Sequence, residues 1–323
     1  MSDNVFHRAI YLTGPTAAGK TEIGVALARR LNAEVLALDS MTLYRGMDIA
    51  TAKPSVAARA GIAHHLIDMI DPWESASVAA YRDWAAAVAR QVEERGKRVL
   101  FVGGTPLYLK ALLRGLFTGP AADRELRMRL DREALAHGAP VLHSRLAALD
   151  PGAAGRLHPN DRRRIVRALE VIELTGQPIS DLQTQHDRPA PSSVCVLAID
   201  VPRASLHDRI NRRVIHFMTS GLVDEVRRLQ AGPQPLSRVA AQAIGYAEVI
   251  AMLAGQATLS QTVERIQART RQFAKRQVTW FRGLEEVRSI TVPPDEGPET
   301  IGDRLALRID IGHNRVESAK SET

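Results

Sequence analysis

The stretch Gly14-Pro-Thr-Ala-Ala-Gly-Lys-Thr21, near the start of the 323-residue chain, decides the fold. It matches the pattern G-x-x-x-x-G-K-[ST], in which backbone amides and the N-terminus of the following helix surround a phosphate group. The apolar run Arg8–Gly14 precedes the motif, and Lys20–Leu31 follows it with apolar residues at helical spacing. Because strand, loop and helix come in the order that the motif needs, we predict a phosphate site at residues 14–21.

Strand and helix signals alternate over the first hundred residues. Short apolar runs predict strands at Glu34–Asp39, His65–Ile70 and Arg98–Gly104. A helix over Val78–Arg95 separates the last two strands, and another helix is predicted after Pro106. Such alternation favours a parallel sheet that is covered by helices on both faces.

The pattern becomes purely helical after Gly119-Pro120. From Asp123 to about Gln185 the chain shows helical runs and no convincing strand: Arg124–His137, Val141–Leu149 and Arg162–Thr175. Strand signals return at Val194–Asp200 and Val287–Val292, with helices between them.

These signals predict an α/β fold: a P-loop NTPase-like parallel sheet flanked by helices, with a small all-helical insertion domain. The predicted bounds are 1–118 and 190–315 for the catalytic core and 119–189 for the insertion. A frayed polar tail is expected at 316–323.

Composition excludes several classes of protein. Hydrophobic residues make up 45% of the chain and charged residues 24%, which is typical of a globular protein. No apolar stretch approaches the ~20 residues of a membrane-spanning helix, and the N-terminus lacks the layout of a secretory signal. The single cysteine, Cys195, excludes an internal disulfide and a cysteine-based zinc site. We therefore expect a cytoplasmic protein with no membrane partner.

A basic surplus favours a polyanionic partner. The chain has 43 basic and 36 acidic residues, a formal net charge of +7. The basic residues cluster in three segments: Arg162, Arg163, Arg164 and Arg167; Arg203, Arg209, Arg212 and Arg213; and Arg265, Arg269, Arg271, Lys275, Arg276 and Arg282, which are interleaved with Phe273, Trp280 and Phe281. Cations beside aromatic rings suit RNA, although a solvated helix face gives the same pattern.

Two residues outside the glycines carry the predicted chemistry of the phosphate site. Lys20 supplies a positive charge, and the Thr21 hydroxyl can hold Mg²⁺. A typical nucleoside triphosphatase also has a strand that ends in an acidic metal ligand, but Val99–Val102 ends in Gly-Gly-Thr. Asp39 closes the second predicted strand instead. It is a candidate general base, since ligands bind where parallel strands end; a helix cap or a solvated turn is the alternative.

Several motifs together resemble one family, the bacterial tRNA dimethylallyltransferases (tRNA isopentenyltransferases). They occur in the family's order over almost the whole chain. Besides residues 14–21 they are Asp39-Ser-Met-Thr-Leu-Tyr44-Arg-Gly-Met-Asp48, Thr51-Ala-Lys53-Pro54, Gly103-Gly-Thr105-Pro-Leu-Tyr108, His158-Pro-Asn-Asp161, Arg167-Ala-Leu-Glu170-Val, Ala243-Ile-Gly245-Tyr246 and Lys275-Arg-Gln-Val-Thr-Trp280.

The resemblance implies a prenyl transfer to RNA. Dimethylallyl diphosphate donates its dimethylallyl group to N6 of the adenosine on the 3′ side of the anticodon (adenosine 37), and diphosphate leaves. Asp39 would be the general base, Thr105 would lie where base and donor meet, and Arg213, with Arg209 as second choice, would contact the diphosphate. The residues implied to bind the diphosphate are Gly14, Pro15, Thr16, Ala17, Ala18, Gly19, Lys20 and Thr21, with Mg²⁺ on Thr21.

The resemblance also implies a tRNA-binding surface for the anticodon stem-loop, on a protein that acts as a monomer. The matching positions are Asp39, Ser40, Met41, Thr42, Thr105, Arg127, Arg163, Arg164, Ile165, Val166, Arg167, Gln242, Ala243, Ile244, Gly245, Tyr246, Ala247, Lys275, Arg276, Gln277, Val278, Thr279, Trp280, Phe281 and Arg282. Three positions depart from the family pattern: Thr42 stands for a glutamine, Ala50 for a glycine and Ala247 for a basic residue.

Three other interpretations share parts of this pattern. A small-molecule kinase would use the same loop and Asp39, but it leaves the basic clusters unexplained. An enzyme that prenylates free adenine nucleotides needs no helical insertion at 123–185. An RNA-binding module with a vestigial loop would not need the intact Lys20-Thr21 pair.

Overall fold

Two compact units make up the chain. A computed structural model describes residues 4–117, 119–183, 189–293 and 296–321. One unit comprises Met1–Leu113 and Ala190–Thr323, and the other comprises Arg114–Pro189. The sequence had predicted bounds at 118/119 and 189/190 for the same division.

A parallel sheet forms the centre of the larger unit. Over the described residues it has six strands: β1 (Ile10–Thr13), β2 (Ala33–Ala37), β3 (His64–His65), β4 (Arg98–Val102), β5 (Cys195–Asp200) and β6 (Val287–Thr291). Their spatial order is β3-β2-β4-β1-β5-β6, and every neighbouring pair is parallel. Leu12 in β1 lies beside Val102 on one side and Leu197 on the other. All four residues of β1 are buried, because helices cover both faces of a parallel sheet.

Helices flank the sheet in the larger unit. Before the second unit they are α1 (Val5–Arg8), α2 (Lys20–Leu31), α3 (Val78–Glu94) and α4 (Pro106–Arg114). The second unit contains α5 (Arg124–His137), α6 (Ala139–Leu149), α7 (Pro151–Arg156), α8 (Arg162–Thr175) and α9 (Ile179–Leu182). The remaining helices are α10 (Arg203–Thr219), α11 (Leu222–Gln230), α12 (Arg238–Ala241), α13 (Tyr246–Leu253), α14 (Leu259–Arg282) and α15 (Pro298–Ser321).

The predicted fold class is confirmed, but the third strand differs from the prediction. The sequence predicted a strand over His65–Ile70, and the structure has a two-residue strand, β3. Leu66 and Asp68 have φ values of 61° and 56°, a left-handed conformation that no strand can contain. The chain therefore turns after β3, and Ile70 then forms an isolated bridge with Tyr44, outside the strands of the sheet.

The smaller unit is built on its own core. Within its described residues it contains helices and no strand. Leu130, Leu146, Ile165 and Leu169 from α5, α6 and α8 are all fully buried in one apolar cluster. The buried Asp150 caps α7 by accepting from the Ala153 amide and also accepts from the Ser180 amide at 2.9 Å, which ties α7 to α9. The sequence analysis predicted no helix between Leu149 and Arg162 and so missed α7, which begins at Pro151; proline is favourable in the first turn of a helix.

The helix α15 was not predicted, and the frayed end expected at 316–323 is helical through Ser321. Its buried residues Ile301, Leu305 and Ile309 recur at helical spacing and pack against Leu27 and Leu31 of α2. The sequence analysis placed residues 301–309 in the catalytic core but assigned no helix to this apolar stripe. Glu322 and Thr323 lie outside the described residues. No helix among the described residues is long and apolar enough to span a membrane.

The seam between α15 and α2 gives a test of stability with a control on the same helix. Leu305 is fully buried and Leu307 is 65% exposed. We expect Leu305→Ala to reduce the free energy of unfolding by about 3 kcal/mol, since it removes a buried side chain and leaves a cavity. Leu307→Ala should change it by less than about 0.5 kcal/mol. Urea denaturation of both variants measures this, and equal effects would show that α15 is not docked.

Candidate functional site

A cavity of about 820 Å³ opens where β1, β2 and β4 end. Its wall includes the loop before α2, the loop after β2, and the helices α10 and α14. Such a position is expected, because ligands bind at the carboxyl ends of parallel strands. Of the residues predicted for the site, the lining includes Thr16, Ala17, Ala18, Gly19, Lys20, Thr21, Asp39, Thr42, Arg213 and Gln277.

The predicted phosphate loop forms one tight turn between β1 and α2. Gly19 caps α2 in a left-handed conformation with φ of 85°. Pro15 accepts two hydrogen bonds, from the Ala18 amide at 3.3 Å and from Lys20 Nζ at 2.6 Å. The Lys20 ammonium is thereby held inside the curl of the loop, where free amides and a helix N-terminus attract an anion.

Asp39 lies in the loop that follows β2. The Leu38 amide donates to the carbonyl of Val102 at 2.9 Å, so the chain is still guided by β4 where it leaves the strand. Asp39 Oδ1 accepts from the Met41 amide at 2.8 Å, which fixes the carboxylate. Burial raises the pKa of this carboxyl above its usual value, while the Met41 amide and the Lys20 charge oppose the rise.

Thr105 braces the loop that carries Asp39. Its hydroxyl oxygen accepts from the Ser40 amide at 3.2 Å, and its own amide donates to the carbonyl of Leu38 at 3.1 Å. Thr105 therefore holds the backbone on both sides of Asp39. It is not among the residues that line the cavity, whereas the sequence placed it where base and donor meet.

Arg213 and Arg209 project from one face of α10 into the cavity. An Arg213 guanidinium nitrogen donates to Thr16 Oγ1 at 3.3 Å, and the same group lies over the Phe217 ring at 5.3 Å. Arg213 is thus in direct contact with the phosphate loop. An Arg209 guanidinium nitrogen lies 4.0 Å from the position that a Cβ atom on Gly19 would occupy. Arg209 therefore lies beside the same loop.

Buried positive charge dominates the electrostatics of the cavity. Burial, reinforced by the nearby Arg213, lowers the pKa of Lys20 to about 7, even though Asp39 and Glu22 act in the opposite direction. Burial also lowers the pKa of the Arg213 guanidinium. Lys20 and Arg213 thus lie near the buried Asp39 carboxylate in a poorly solvated space, with Glu22 also close enough to act on both cations. A bound anion would offset the unfavourable desolvation of Lys20 and Arg213. The site is therefore suited to a polyanionic group.

Lys53 fastens the loops that form another wall of the cavity. Its side chain is only 4% exposed. It donates to the carbonyl of Tyr44 at 2.8 Å, to Asp48 at 2.5 Å and to Asp68 at 2.6 Å. The sequence analysis quoted Lys53 as part of a motif but gave it no role. The contact between Lys53 and Asp68 joins two segments that are 15 residues apart in sequence, so it depends on the tertiary fold.

The segment around Gly245, predicted to bind tRNA, is mostly buried. Tyr246 donates to the buried Glu225 at 2.6 Å, and Glu225 also accepts from the amides of Asp48 and Ile49. Ala50, one of the departures from the family pattern, packs against this segment: a side chain on Gly245 would begin 2.6 Å from its Cβ. Glycine is therefore required at 245, where φ is 93°.

The other residues of this segment differ in exposure. Ala243 is buried, Ile244 and Ala247 are half-buried, and Gln242 is exposed. Within this segment only Gln242 therefore presents a fully exposed side chain.

The basic helix α14 presents two different faces. Lys275, Arg276, Thr279, Trp280 and Arg282 are exposed, as expected for a surface that binds RNA. Val278 is half-buried, and Gln277 and Phe281 are buried, so the helical period turns these side chains inward.

The predicted RNA-binding residues of the smaller unit divide in the same way. Arg163 and Arg164 are exposed, and Ile165 and Val166 lie in the core of the unit. Arg127 and Arg167 both donate to the carboxylate of Glu170, which is fully buried. The structure therefore gives Arg127 and Arg167 a structural partner that the sequence analysis had not identified.

Fold and site together define a phosphate-loop-like α/β protein with a basic cavity next to a buried carboxylate. A family model described as "IPP transferase" matches residues 42–284. The tRNA dimethylallyltransferase of Alkalilimnicola ehrlichii is 47% identical over 304 residues, which cover 92% of this chain and 95% of that protein.

Two solved structures are similar over nearly the whole chain. The tRNA isopentenylpyrophosphate transferase of Bacillus halodurans is 37% identical, with a TM-score of 0.70 and coverage of 96% of this chain and 99% of that one. A eukaryotic dimethylallyltransferase acting on tRNA is 26% identical, with a TM-score of 0.76 and coverage of 93% and 77%. The chain belongs to the IPP transferase family, and the resemblance inferred from its motifs is confirmed; it is a prenyltransferase.

The lowered pKa of Lys20 predicts how binding of inorganic diphosphate depends on pH. The lysine is protonated below about pH 7 and loses its charge above it. Wild-type affinity should therefore fall, relative to that of Lys20→Arg at the same pH, by up to about tenfold per unit as the pH rises above that value. Calorimetric titration of both proteins from pH 6 to 9 checks this. The comparison cancels ionisation of the ligand, and a constant ratio would contradict the prediction.

Proposed function

We propose that the protein transfers the dimethylallyl group of dimethylallyl diphosphate to N6 of adenosine 37 in tRNA. The observation that carries the proposal is the shared cavity of Lys20, Arg213 and Asp39, in which an anion-binding loop faces a buried carboxylate. The names of the relatives, tRNA dimethylallyltransferases and tRNA isopentenylpyrophosphate transferases, support the same reaction.

The charged half of the cavity fits the donor's head group. The diphosphate gains negative charge as its bond to the allylic carbon breaks. Lys20 and Arg213 are positive groups held at the phosphate loop by their contacts with Pro15 and Thr16. Groups that are preorganised where charge develops stabilise the transition state without reorganisation, and each is typically worth a few kcal/mol.

The apolar part of the lining fits the dimethylallyl group that is transferred. Val35, Ala37, Ile67 and Val102 line the cavity with apolar side chains. A five-carbon branched group is apolar, so it would be favoured against them over water. This juxtaposition of an anion loop and an apolar wall favours a prenyl diphosphate over a nucleotide.

Asp39 fits the role of general base. The exocyclic amine of adenine is a weak nucleophile, because its lone pair is delocalised into the ring. As N6 forms its bond to carbon, its proton would pass to Asp39, and the C–O electrons would leave with the diphosphate. A raised pKa makes this carboxylate a better proton acceptor than an exposed aspartate.

The residues present are compatible with Mg²⁺ held mainly by the substrate. The Thr21 hydroxyl lines the cavity, and the described residues contain no group of three or more histidine, cysteine, aspartate or glutamate side chains that could hold a metal ion. Mg²⁺ commonly keeps several waters and takes only one or two protein ligands beside phosphate oxygens. Bound there, it would neutralise part of the charge of the leaving diphosphate.

Two exposed basic surfaces would bind the anticodon stem-loop. One is the outer face of α14, with Lys275, Arg276 and Arg282, and the other is the start of α8, with Arg163 and Arg164. Base N6 is inaccessible to a buried carboxylate while the adenosine is stacked, so the nucleotide has to be extruded into the cavity.

A prenylation assay with and without the base tests the proposed function. Wild-type protein with Mg²⁺ and labelled dimethylallyl diphosphate should label an anticodon stem-loop that contains adenosine 37, and a loop with guanosine there should stay unlabelled. Asp39→Ala should lower kcat by about 10²–10⁴-fold while its affinity for the stem-loop changes less than about twofold. Equal losses in kcat and RNA affinity would exclude Asp39 as the base. Release of γ-phosphate from ATP without prenylation would favour a kinase.

The salt dependence of RNA binding tests the surface on α8. Arg163 is exposed and, within the described part of the chain, makes no ion pair. If it contacts a tRNA phosphate, Arg163→Ala should reduce the slope of log K against log salt concentration by about one. Arg132→Ala is the matched control: Arg132 is also exposed, lies in the same unit and donates to its own helix. An equal slope for wild type and Arg163→Ala would identify this arginine as an ordinary solvated residue.

A further inference from the structure

Gln277 is a buried amide at a point where three elements meet. It lies on α14, between Lys275 and Thr279, both of which are exposed, but its own side chain is only 3% exposed. Its carboxamide oxygen accepts from the Thr16 amide at 2.9 Å, and its carboxamide nitrogen donates to the carbonyl of Gly104 at 2.5 Å. Both functions of the side chain are therefore used, and neither is directed to the protein surface.

The two partners of Gln277 belong to the two halves of the site. Thr16 is in the phosphate loop, and its hydroxyl accepts from Arg213. Gly104 precedes Thr105, which holds the loop of Asp39 through the Ser40 amide. One side chain thus links the loop for the leaving group to the segment that braces the base.

The surroundings leave little freedom for this link. A side chain on Gly104 would begin 2.6 Å from the carboxamide nitrogen of Gln277, 3.1 Å from the carbonyl of Gly14 and 3.5 Å from Lys20 Nζ. Glycine is required at 104 because the carboxamide, the phosphate loop and the lysine all approach the backbone there. No other residue type would allow this approach without a shift.

We propose that Gln277 is a positioning residue for the transfer, which holds the phosphate loop at a fixed distance from the segment of the base and is not part of the exposed RNA-binding face of α14. The inference rests on the proposed function and reassigns a residue that the sequence grouped with the tRNA-binding helix. Because Thr16 donates its amide to Gln277, the loop keeps its shape and its remaining amides stay directed at the diphosphate. The exposed neighbours of Gln277 on α14 carry the RNA contacts.

The test is a substitution that keeps the volume of the side chain and removes both hydrogen bonds. Gln277→Met should weaken binding of inorganic diphosphate about tenfold, because two buried neutral hydrogen bonds are lost and the loop relaxes only in part. The KM for dimethylallyl diphosphate should rise and kcat should fall. The Kd for the anticodon stem-loop should stay within about twofold of wild type, since the exposed face of α14 is unchanged. Gln272→Met is the matched control, because Gln272 is an exposed glutamine on the same helix.

A second variant disrupts the contact between Gln277 and Gly104 by changing the glycine. Gly104→Ala places a methyl group against the Gln277 carboxamide and should reproduce the loss of diphosphate affinity. The double variant should lose no more diphosphate affinity than the weaker-binding single variant, because both substitutions disrupt the same contact between Gln277 and Gly104. This variant also decides the matter if Gln277→Met does not fold.

The outcomes separate this inference from the proposed function. Unchanged diphosphate binding in a folded Gln277→Met protein, or a loss of RNA affinity with intact diphosphate binding, overturns the positioning role. Additive effects of the two substitutions do the same. If the wild-type protein itself neither binds diphosphate nor prenylates the stem-loop, the proposed function fails and the inference fails with it.

Discussion

The site depends on keeping two cations and a carboxylate together in a poorly solvated cavity. Lys20 begins α2, Asp39 follows β2 and Arg213 lies on α10. These segments meet because β1, β2 and β5, which precede them, are parallel strands of one sheet. Burial is unfavourable for each charged group, and their pKa values shift accordingly. The excess of positive charge makes an anionic ligand part of the electrostatic balance. The same burial makes Asp39 a stronger base and the loop a stronger anion site.

Buried polar side chains fix the loops around this cavity. Lys53 joins the segment after Asp39 to the chain that follows β3, Glu225 holds the amides of Asp48 and Ile49, and Gln277 holds the phosphate loop. Each of them satisfies several partners at once, which makes these contacts specific as well as stabilising. Catalytic groups can therefore lie on loops, where they reach the ligand, and still have defined positions.

Surface charge in this protein has two uses that the sequence does not distinguish. In the smaller unit, Arg127 and Arg167 surround the buried Glu170, whereas Arg163 and Arg164 stay exposed. In α14, the exposed cations alternate with Gln277 and Phe281, which face inward. A run of basic residues thus contains both RNA-binding candidates and residues that stabilise the fold, and only the exposed ones can add to the electrostatic attraction of a polyanion.

The sequence by itself determined the local features: the Gly14–Thr21 loop between a strand and a helix, the alternation that predicts a parallel sheet, and the set of motifs that indicates the family. These depend on residues close in sequence. It missed α15, whose apolar stripe has meaning only against α2, and it misjudged His65–Ile70, where two residues adopt positive φ. Only the tertiary structure decided that Gln277 faces the phosphate loop, 261 residues away, because burial and hydrogen-bond partners are set by packing between distant segments.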